Sequence, residues 1–168
     1  MSSSSLSIRL ETDGDGQVLS QLSADAFGPG RFTRSAYRVR EGVPPVAALC
    51  LAAWLDDRLV GGIRFTAVRI GEEENAALLG PLVVDPTAKG NGFGRALLAE
   101  GLARASAAGF HLVLLVGDMP YYGRFGFAPV PPGQIGLPGP VDPARLLALE
   151  LTPGALARAV GPVKGYAR

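Results

Sequence analysis

Residues 78–95, LLGPLVVDPTAKGNGFGR, decide how the rest of the chain is read. Leu78 to Val84 is an apolar run that predicts a buried strand. Asp85-Pro86 ends it, because Pro86 has no N–H for a ladder and restricts the residue before it. Lys89-Gly90-Asn91-Gly92-Phe93-Gly94-Arg95 then runs into RALLAEGLARASAAG. There, apolar or small residues at Gly94, Leu97, Leu98, Gly101, Leu102, Ala105 and Ala108 recur at helical spacing. Gly109 is placed to end that helix in a left-handed conformation. The unit is a strand, a glycine loop and a helix N-terminus.

A unit of this kind suits an anion. The first turn of a helix leaves N–H groups without partners and carries the positive end of the helix dipole. Glycine at positions 90, 92 and 94 removes the Cβ atoms that would hold a phosphate away. Lys89 and Arg95 flank the loop with positive charge, and a guanidinium can grip phosphate oxygens in pairs. The bland alternative is a flexible glycine connection, which the flanking strand and helix disfavour. A nucleotide-triphosphate loop needs Gly-Lys-Ser/Thr where this chain has Gly94-Arg95-Ala96. A dinucleotide fingerprint needs GxGxxG after the first strand and an acidic residue further on, and here the spacing is GxGxG in mid-chain.

Outward from this unit, Met1–Ser5 reads as a frayed tail and Leu6–Leu10 alternates like a short strand. Asp13 or Asp15 can cap a helix over Gln17–Phe27, which Gly28-Pro29-Gly30 breaks. A second helix, about Phe32–Arg40, follows Arg31 and carries Arg34, Arg38 and Arg40. A solvated basic face accounts for these arginines, with a carboxylate-binding role for one of them as the alternative. Val46–Trp54 and Leu59–Ile70 read as an antiparallel hairpin about Asp56-Asp57-Arg58, and Gly61-Gly62 signals a bulge or a close backbone approach. Glu72-Glu73-Glu74 reads as a solvated turn. His111–Val116 is apolar enough for a parallel strand covered on both faces, so strand, helix and strand form a right-handed crossover. The only histidine, His111, lies at the end away from the glycine loop and reads as structural. Pro120 and Gly126 bracket a short helix carrying Tyr121 and Tyr122. Ala128–Pro143 is a long Pro- and Gly-rich loop that either borders a pocket or is a solvated connection. Leu146–Leu151 reads as the last strand, and Thr152 as the cap of a short helix starting at Pro153.

The 168 residues have the length of one domain, and 48% hydrophobic with 18% charged residues is a globular composition. Lys+Arg 16 against Asp+Glu 15 leaves no basic excess for nucleic acid. The one cysteine, Cys50, forbids an internal disulfide and a cysteine metal cluster, and no metal is expected. No signal peptide or membrane-crossing run is read, so the expected compartment is the cytoplasm.

The pattern Lys89-Gly90-Asn91-Gly92-Phe93-Gly94, preceded by LGPLVVDP and followed by YYGRFGF, resembles the GNAT superfamily of N-acetyltransferases. The family usually has Gln or Arg where this chain has Lys89. The resemblance covers Leu79 to about Val130. It implies an α+β, three-layer fold with a mixed sheet of about six to seven strands and helices on both faces. The sheet would be splayed between the strand ending at Val84 and the strand His111–Val116. It implies acetyl-CoA as cosubstrate, held by Leu82, Val83, Val84, Lys89, Gly90, Asn91, Gly92, Phe93, Gly94, Arg95, Asp118 and Tyr121. Pro81, confined to an edge or bulge, is a local reason for the splay. Pantetheine amides would pair with Leu82 and Val84 like an added strand, with the oxyanion near Val83 and Val84. Tyr122 would give a proton to the leaving thiolate. Asp85, Asp118, the turn glutamates or a water are open candidates for the base. The acceptor would be a small-molecule or peptide amine, and the chain a monomer or homodimer. Acetyl-CoA binding without catalysis, and a partner-binding domain with a structural glycine loop, are the alternatives.

Overall fold

The computed structural model describes residues 5–28, 30 and 34–168. In chain order these form β1 (Leu6–Leu10), α1 (Gly16–Phe27), α2 (Ser35–Arg40), β2 (Leu51–Leu55), β3 (Arg58–Gly71) and β4 (Glu73–Val84). Then come α3 (Phe93–Ala107), β5 (Leu112–Val116), α4 (Met119–Tyr122), β6 (Ala128–Pro129), β7 (Ile135–Gly136), β8 (Leu146–Glu150), α5 (Ala155–Arg158) and β9 (Ala159–Gly165). The sheet runs β1-β2-β3-β4-β5-β8-β6, and along that path only the β4–β5 pair is parallel. β9 takes the edge of β3 that β2 leaves free, pairing with Val68–Gly71, and carries β7 on its other side.

The layers follow from strand periodicity, which sends alternate side chains to opposite faces. In β5, Val113 and Leu115 join one core with Leu97, Leu98 and Ala105 of α3, while Leu112 and Leu114 join a second core with Val39 of α2 and Val163 of β9. β4 divides in the same way, with Ala77 and Leu79 on the α3 face and Ala76 and Leu78 on the other. α1 covers the outer end of that second face through Leu19, packed with Ala52, Leu59 and Val83. Helices therefore lie on both faces of a mixed sheet, as the sequence predicts. α3 approaches closely because position 101 is glycine: a Cβ there would stand 2.8 Å from Cε2 of Phe65.

Several expectations need correction. Ser5 is no loose end, since its N–H donates to Asp56 Oδ1 (2.9 Å) and its carbonyl accepts from the Asp56 N–H (2.9 Å). Met1–Ser4, Pro29 and the start of the second helix, with Arg31 and Phe32, lie outside the described residues. Asp15 does not cap by accepting from α1; it is buried and accepts from the Thr12 N–H at 2.8 Å, closing the turn before the helix. The run from Val46 starts with a tight 3-10 turn at Ala47–Leu49, so β2 begins only at Leu51. Both readings of Gly61-Gly62 hold: the β2–β3 register shifts beside Gly61, and a Cβ there would stand 2.7 Å from the Val83 carbonyl. β8 is not the last strand, because β9 follows it. The short helix after Thr152 begins at Ala155, with Gly154 as its N-cap.

The glutamate turn hides the largest departure. Glu73 is 3% exposed, accepts from the Asn75 N–H at 2.9 Å, and lies 3.3 Å from His111 Nδ1 and 3.4 Å from Arg158 Nε. Strand pairing buries it, and the ion pair with Arg158 and the Asn75 N–H offset part of the loss of water. His111 belongs to this structural cluster, far along β4 from the glycine loop. Among the described residues no helix is long and apolar enough to cross a membrane.

Candidate active site

The site starts from a fault in β4. Ile63 pairs with Leu82 and Phe65 with Leu79, so Gly80 and Pro81 together face the single residue Arg64. Such a bulge bends its strand. Gly80 has φ +140, a conformation that favours glycine, and the Gly80–Pro81 bond is cis. β4 and β5 pair only from Ala76–Leu78 to Leu112–Leu114. Beyond that, β4 continues with β3 alone and β5 with β8 alone, so the sheet opens into the expected splay.

One hydrogen bond orients the open edge. The Asp85 N–H donates to the Val60 carbonyl at 2.7 Å, so Asp85 faces β3. Backbone groups alternate in direction along a strand, so Val83 also faces β3 while Leu82 and Val84 face the gap. Leu82 and Val84 are the residues at which pantetheine is expected to pair. Val83, expected beside the oxyanion, instead turns its backbone to β3 and buries its side chain against α1.

At the end of β4, Asp85 caps the turn Pro86–Ala88, accepting from the N–H and hydroxyl of Thr87 at 2.9 and 2.8 Å. The N–H bond first, then the hydroxyl, hold its carboxyl below the usual carboxylate range, with Arg58 at 3.5 Å adding to this. A carboxylate so engaged is a poor base. Gly90 and Gly92 have φ +88 and +77, and a Cβ at either would meet nothing within 4 Å. Glycine at these positions keeps open the space in front of the loop that a side chain would enter. Asn91 braces the loop by donating from Nδ2 to the Ala88 carbonyl at 2.8 Å. The first bond into α3 runs from the Ala96 N–H to the Gly92 carbonyl, leaving the N–H groups of Phe93, Gly94 and Arg95 without helical acceptors. The Phe93 side chain is 2% exposed and belongs to the core, so only its backbone can serve a ligand. Lys89 and Arg95 are exposed.

α4 places the two tyrosines at different ends of this track. A Cβ at Gly94 would stand 2.8 Å from the Tyr121 hydroxyl, so that hydroxyl sits over the start of α3. Burial raises the Tyr121 pKa, and Arg95 and Arg124 oppose the rise. Arg124, in the middle of YYGRFGF, thus belongs to the basic rim although the sequence reading passed over it. Tyr122 points the other way, with its ring against Gly117 and 5.8 Å from that of Phe127. Burial first, then Tyr121 and Asp118, push its hydroxyl up to about 12. Asp118 is exposed and lies 3.6 Å from Arg145.

Two cavities meet at the bulge. A cleft of about 490 Å³ fills the splay, between Leu79–Leu82 on one wall and Leu115–Asp118 on the other, with Tyr122 inside. Pro140, Val141 and Asp142 border it, in line with the first of the two readings of the long loop, which is tied to α2 by Ser35 Oγ donating to the Pro140 carbonyl at 2.8 Å. A second cavity of about 340 Å³ lies between α1, α2 and the sheet. Tyr37, Arg40, Gly80 and Pro81 line both. The turn glutamates are at the far end of β4 and reach neither.

A model of the acetyltransferase (GNAT) family matches residues 17–127. The uncharacterized N-acetyltransferase YhbS of Escherichia coli (strain K12) is 30% identical over 122 residues, covering 71% of this chain and 72% of that protein. The solved structure of Escherichia coli YhbS in complex with CoA matches with a TM-score of 0.82 and 25% identity, over 99% of this chain and 92% of that one. A GNAT family acetyltransferase from Brucella melitensis, solved in complex with acetyl-CoA, matches with a TM-score of 0.61 and 31% identity, over 86% and 96% of the two chains.

Proposed function

This chain belongs to the GNAT family of acetyltransferases, and on that premise we propose that it transfers the acetyl group of acetyl-CoA directly to a primary amine. The observation that supports the reading is the β4 edge at Leu82 and Val84, which has no strand partner on the side away from β3 and lies between the glycine loop and a cleft lined by Tyr122. When bound, acetyl-CoA supplies an activated acetyl thioester. The transfer forms a C–N bond and breaks the C–S bond, while one proton leaves the amine and one joins the sulfur.

The chain's own groups divide the work. Backbone N–H groups of the loop and of Phe93, Gly94 and Arg95 receive the diphosphate, with Lys89, Arg95 and Arg124 as the charged rim. Leu82 and Val84 offer backbone donors and acceptors to the pantetheine amides. An N–H on that edge also faces the position where negative charge develops on the carbonyl oxygen. Tyr122 holds a proton toward the sulfur. No covalent relay through Cys50 is involved: its buried thiol bonds to the Val46 carbonyl at 3.3 Å, and burial pushes its pKa up.

The test is release of free thiol from acetyl-CoA over a library of primary amines, with mass spectrometry of the acetylated product. Turnover with at least one amine is expected. Failure to retain CoA in ultrafiltration would overturn the reading outright. Tight retention with no turnover over the library would leave a binding domain instead.

A further inference from the structure

Arg40 is the least satisfied charge near the site. Its Nε and Nη1 atoms have no solvent contact and no hydrogen-bond partner among the described residues. The guanidinium stacks on the Tyr37 ring at 4.3 Å, and Nη1 would stand 3.2 Å from a Cβ at Gly80. Burial lowers its pKa, with nearby Arg64 adding to this, yet arginine remains charged near neutral pH. A buried cation without a partner is unfavourable, and anions normally complete such sites.

Among the described residues the surroundings do not supply that anion: of the acidic residues lining the two cavities, Glu41, Asp118 and Asp142, none forms an ion pair with Arg40. Glu11 is engaged by Arg64, whose Nε donates to Oε2 at 2.9 Å and whose Nη2 meets Oε1. Glu41 is exposed on the rim. With Arg64 matched by Glu11, the charge of Arg40 is left uncompensated inside. The smaller cavity has an apolar wall of Leu19, Val43, Pro45, Pro81 and Val83, with Ser23 and Thr66 as buried hydroxyls. Ser20, Glu41 and the Glu11-paired Arg64 are also in its lining.

Granting the acetyltransferase reading, we propose that the acceptor is an α-amino acid with an apolar side chain, its carboxylate bound by Arg40. Arg40 lines both cavities, so a carboxylate there lies at their junction. In an α-amino acid the amine is one carbon from the carboxylate, which carries it into the cleft beside Tyr122. The side chain then lies against the apolar wall of the smaller cavity. A guanidinium close to the amine also favours its neutral, nucleophilic form.

The experiment compares L-leucine, L-methionine and L-phenylalanine with isoamylamine, phenethylamine and L-leucinamide, reading kcat/KM by thiol release. The free amino acids should exceed their carboxylate-free counterparts by about 30-fold or more, the scale of a hydrogen bond to a charged group. In Arg40→Met the preference should collapse toward unity. Calorimetry with L-leucine tests the carboxylate site without turnover, so it still decides if acetyl transfer itself is not seen. Arg40→Met should lose L-leucine binding and retain acetyl-CoA binding. Loss of both ligands in a folded variant would assign Arg40 to the cofactor and overturn the proposal. Equal or better rates with the amines, or unchanged L-leucine binding in Arg40→Met, would overturn it as well. Arg40→Lys keeps the charge without the paired donors and should bind L-leucine about 10-fold more weakly, which covers a failure of the methionine variant to fold.

Discussion

Replacing Tyr122 by Phe removes one hydroxyl and leaves the packing in place. The ring would keep its contact with Gly117, its edge approach to Tyr121 at 4.9 Å and its neighbour Phe127 at 5.8 Å. No hydrogen bond among the described residues uses that hydroxyl, so its loss strands no partner, and the effect on stability should stay within about 0.5 kcal/mol. The effect on rate follows from the acidity. At about 12 the phenol is a much weaker acid than a thiol, whose ordinary value is about 8.5. Full proton transfer to the thiolate is therefore uphill, and the larger gain is a hydrogen bond to a sulfur acquiring charge. Such a bond contributes about 1.5–3 kcal/mol. At about 1.36 kcal/mol per decade this is roughly 10- to 150-fold. Tyr122→Phe should thus lower kcat by about 100-fold, measured by thiol release at saturating acetyl-CoA. Because a phenol donates only while protonated, a pKa of about 12 also predicts that kcat shows no alkaline fall from tyrosine ionisation between pH 8 and 10. Tyr121→Phe should act instead on acetyl-CoA affinity, since its hydroxyl lies over Gly94. Full turnover in Tyr122→Phe, a larger kcat loss at Tyr121, or a wild-type alkaline limb near pH 10 that vanishes in Tyr122→Phe would refute this reasoning.

Gly92→Val should weaken acetyl-CoA binding at least about 100-fold by calorimetry while circular dichroism stays close to that of the wild type, since its φ of +77 forces the loop at the start of α3 to shift and its side chain projects into the space in front of the loop. Asp85→Asn should change kcat less than about threefold and leave any acid limb of kcat/KM in place, because the carboxylate is spent on Thr87 and held in its ionised form. Glu73→Leu should cost about 1–3 kcal/mol in urea denaturation by leaving the Asn75 N–H unpaired, with normal acetyl-CoA affinity in the folded fraction.

What the sequence made legible were features with a local cause. The strand–glycine–helix unit, the end of α3 at Gly109, the short tyrosine helix and the edge role of Pro81 all depend on backbone rules that neighbouring residues reveal. Glu73 was misread for the opposite reason. Nothing within a few residues of it shows that Arg158 and His111 converge there, and a run of three glutamates looks solvated without them. β9 was missed because Gly161 and Pro162 interrupt its apolar pattern, and it is held as a strand by β3 and β7 rather than by its own propensity. Motif position alone does not show that strand alternation turns the Val83 backbone to β3, or that helix packing turns the Phe93 side chain into the core and leaves only its backbone outside. Arg40 stood in the sequence as one of several arginines. Only burial of its Nε and Nη1 atoms separates it from Arg34 and Arg38, which are exposed.

The same bulge explains both halves of the site. Two residues of β4 opposite one of β3 bend the strand away from β5, and that opening leaves Leu82 and Val84 without a strand partner on the side away from β3. The bulge also carries Gly80, against which the Arg40 guanidinium lies, with Nη1 3.2 Å from where a Cβ would stand. A regular β4 would close the cleft and exclude Arg40 from its wall in one step. On the proposed reading a substitution at Gly80 should damage both cofactor and acceptor binding, whereas one at Gly92 should damage cofactor binding alone.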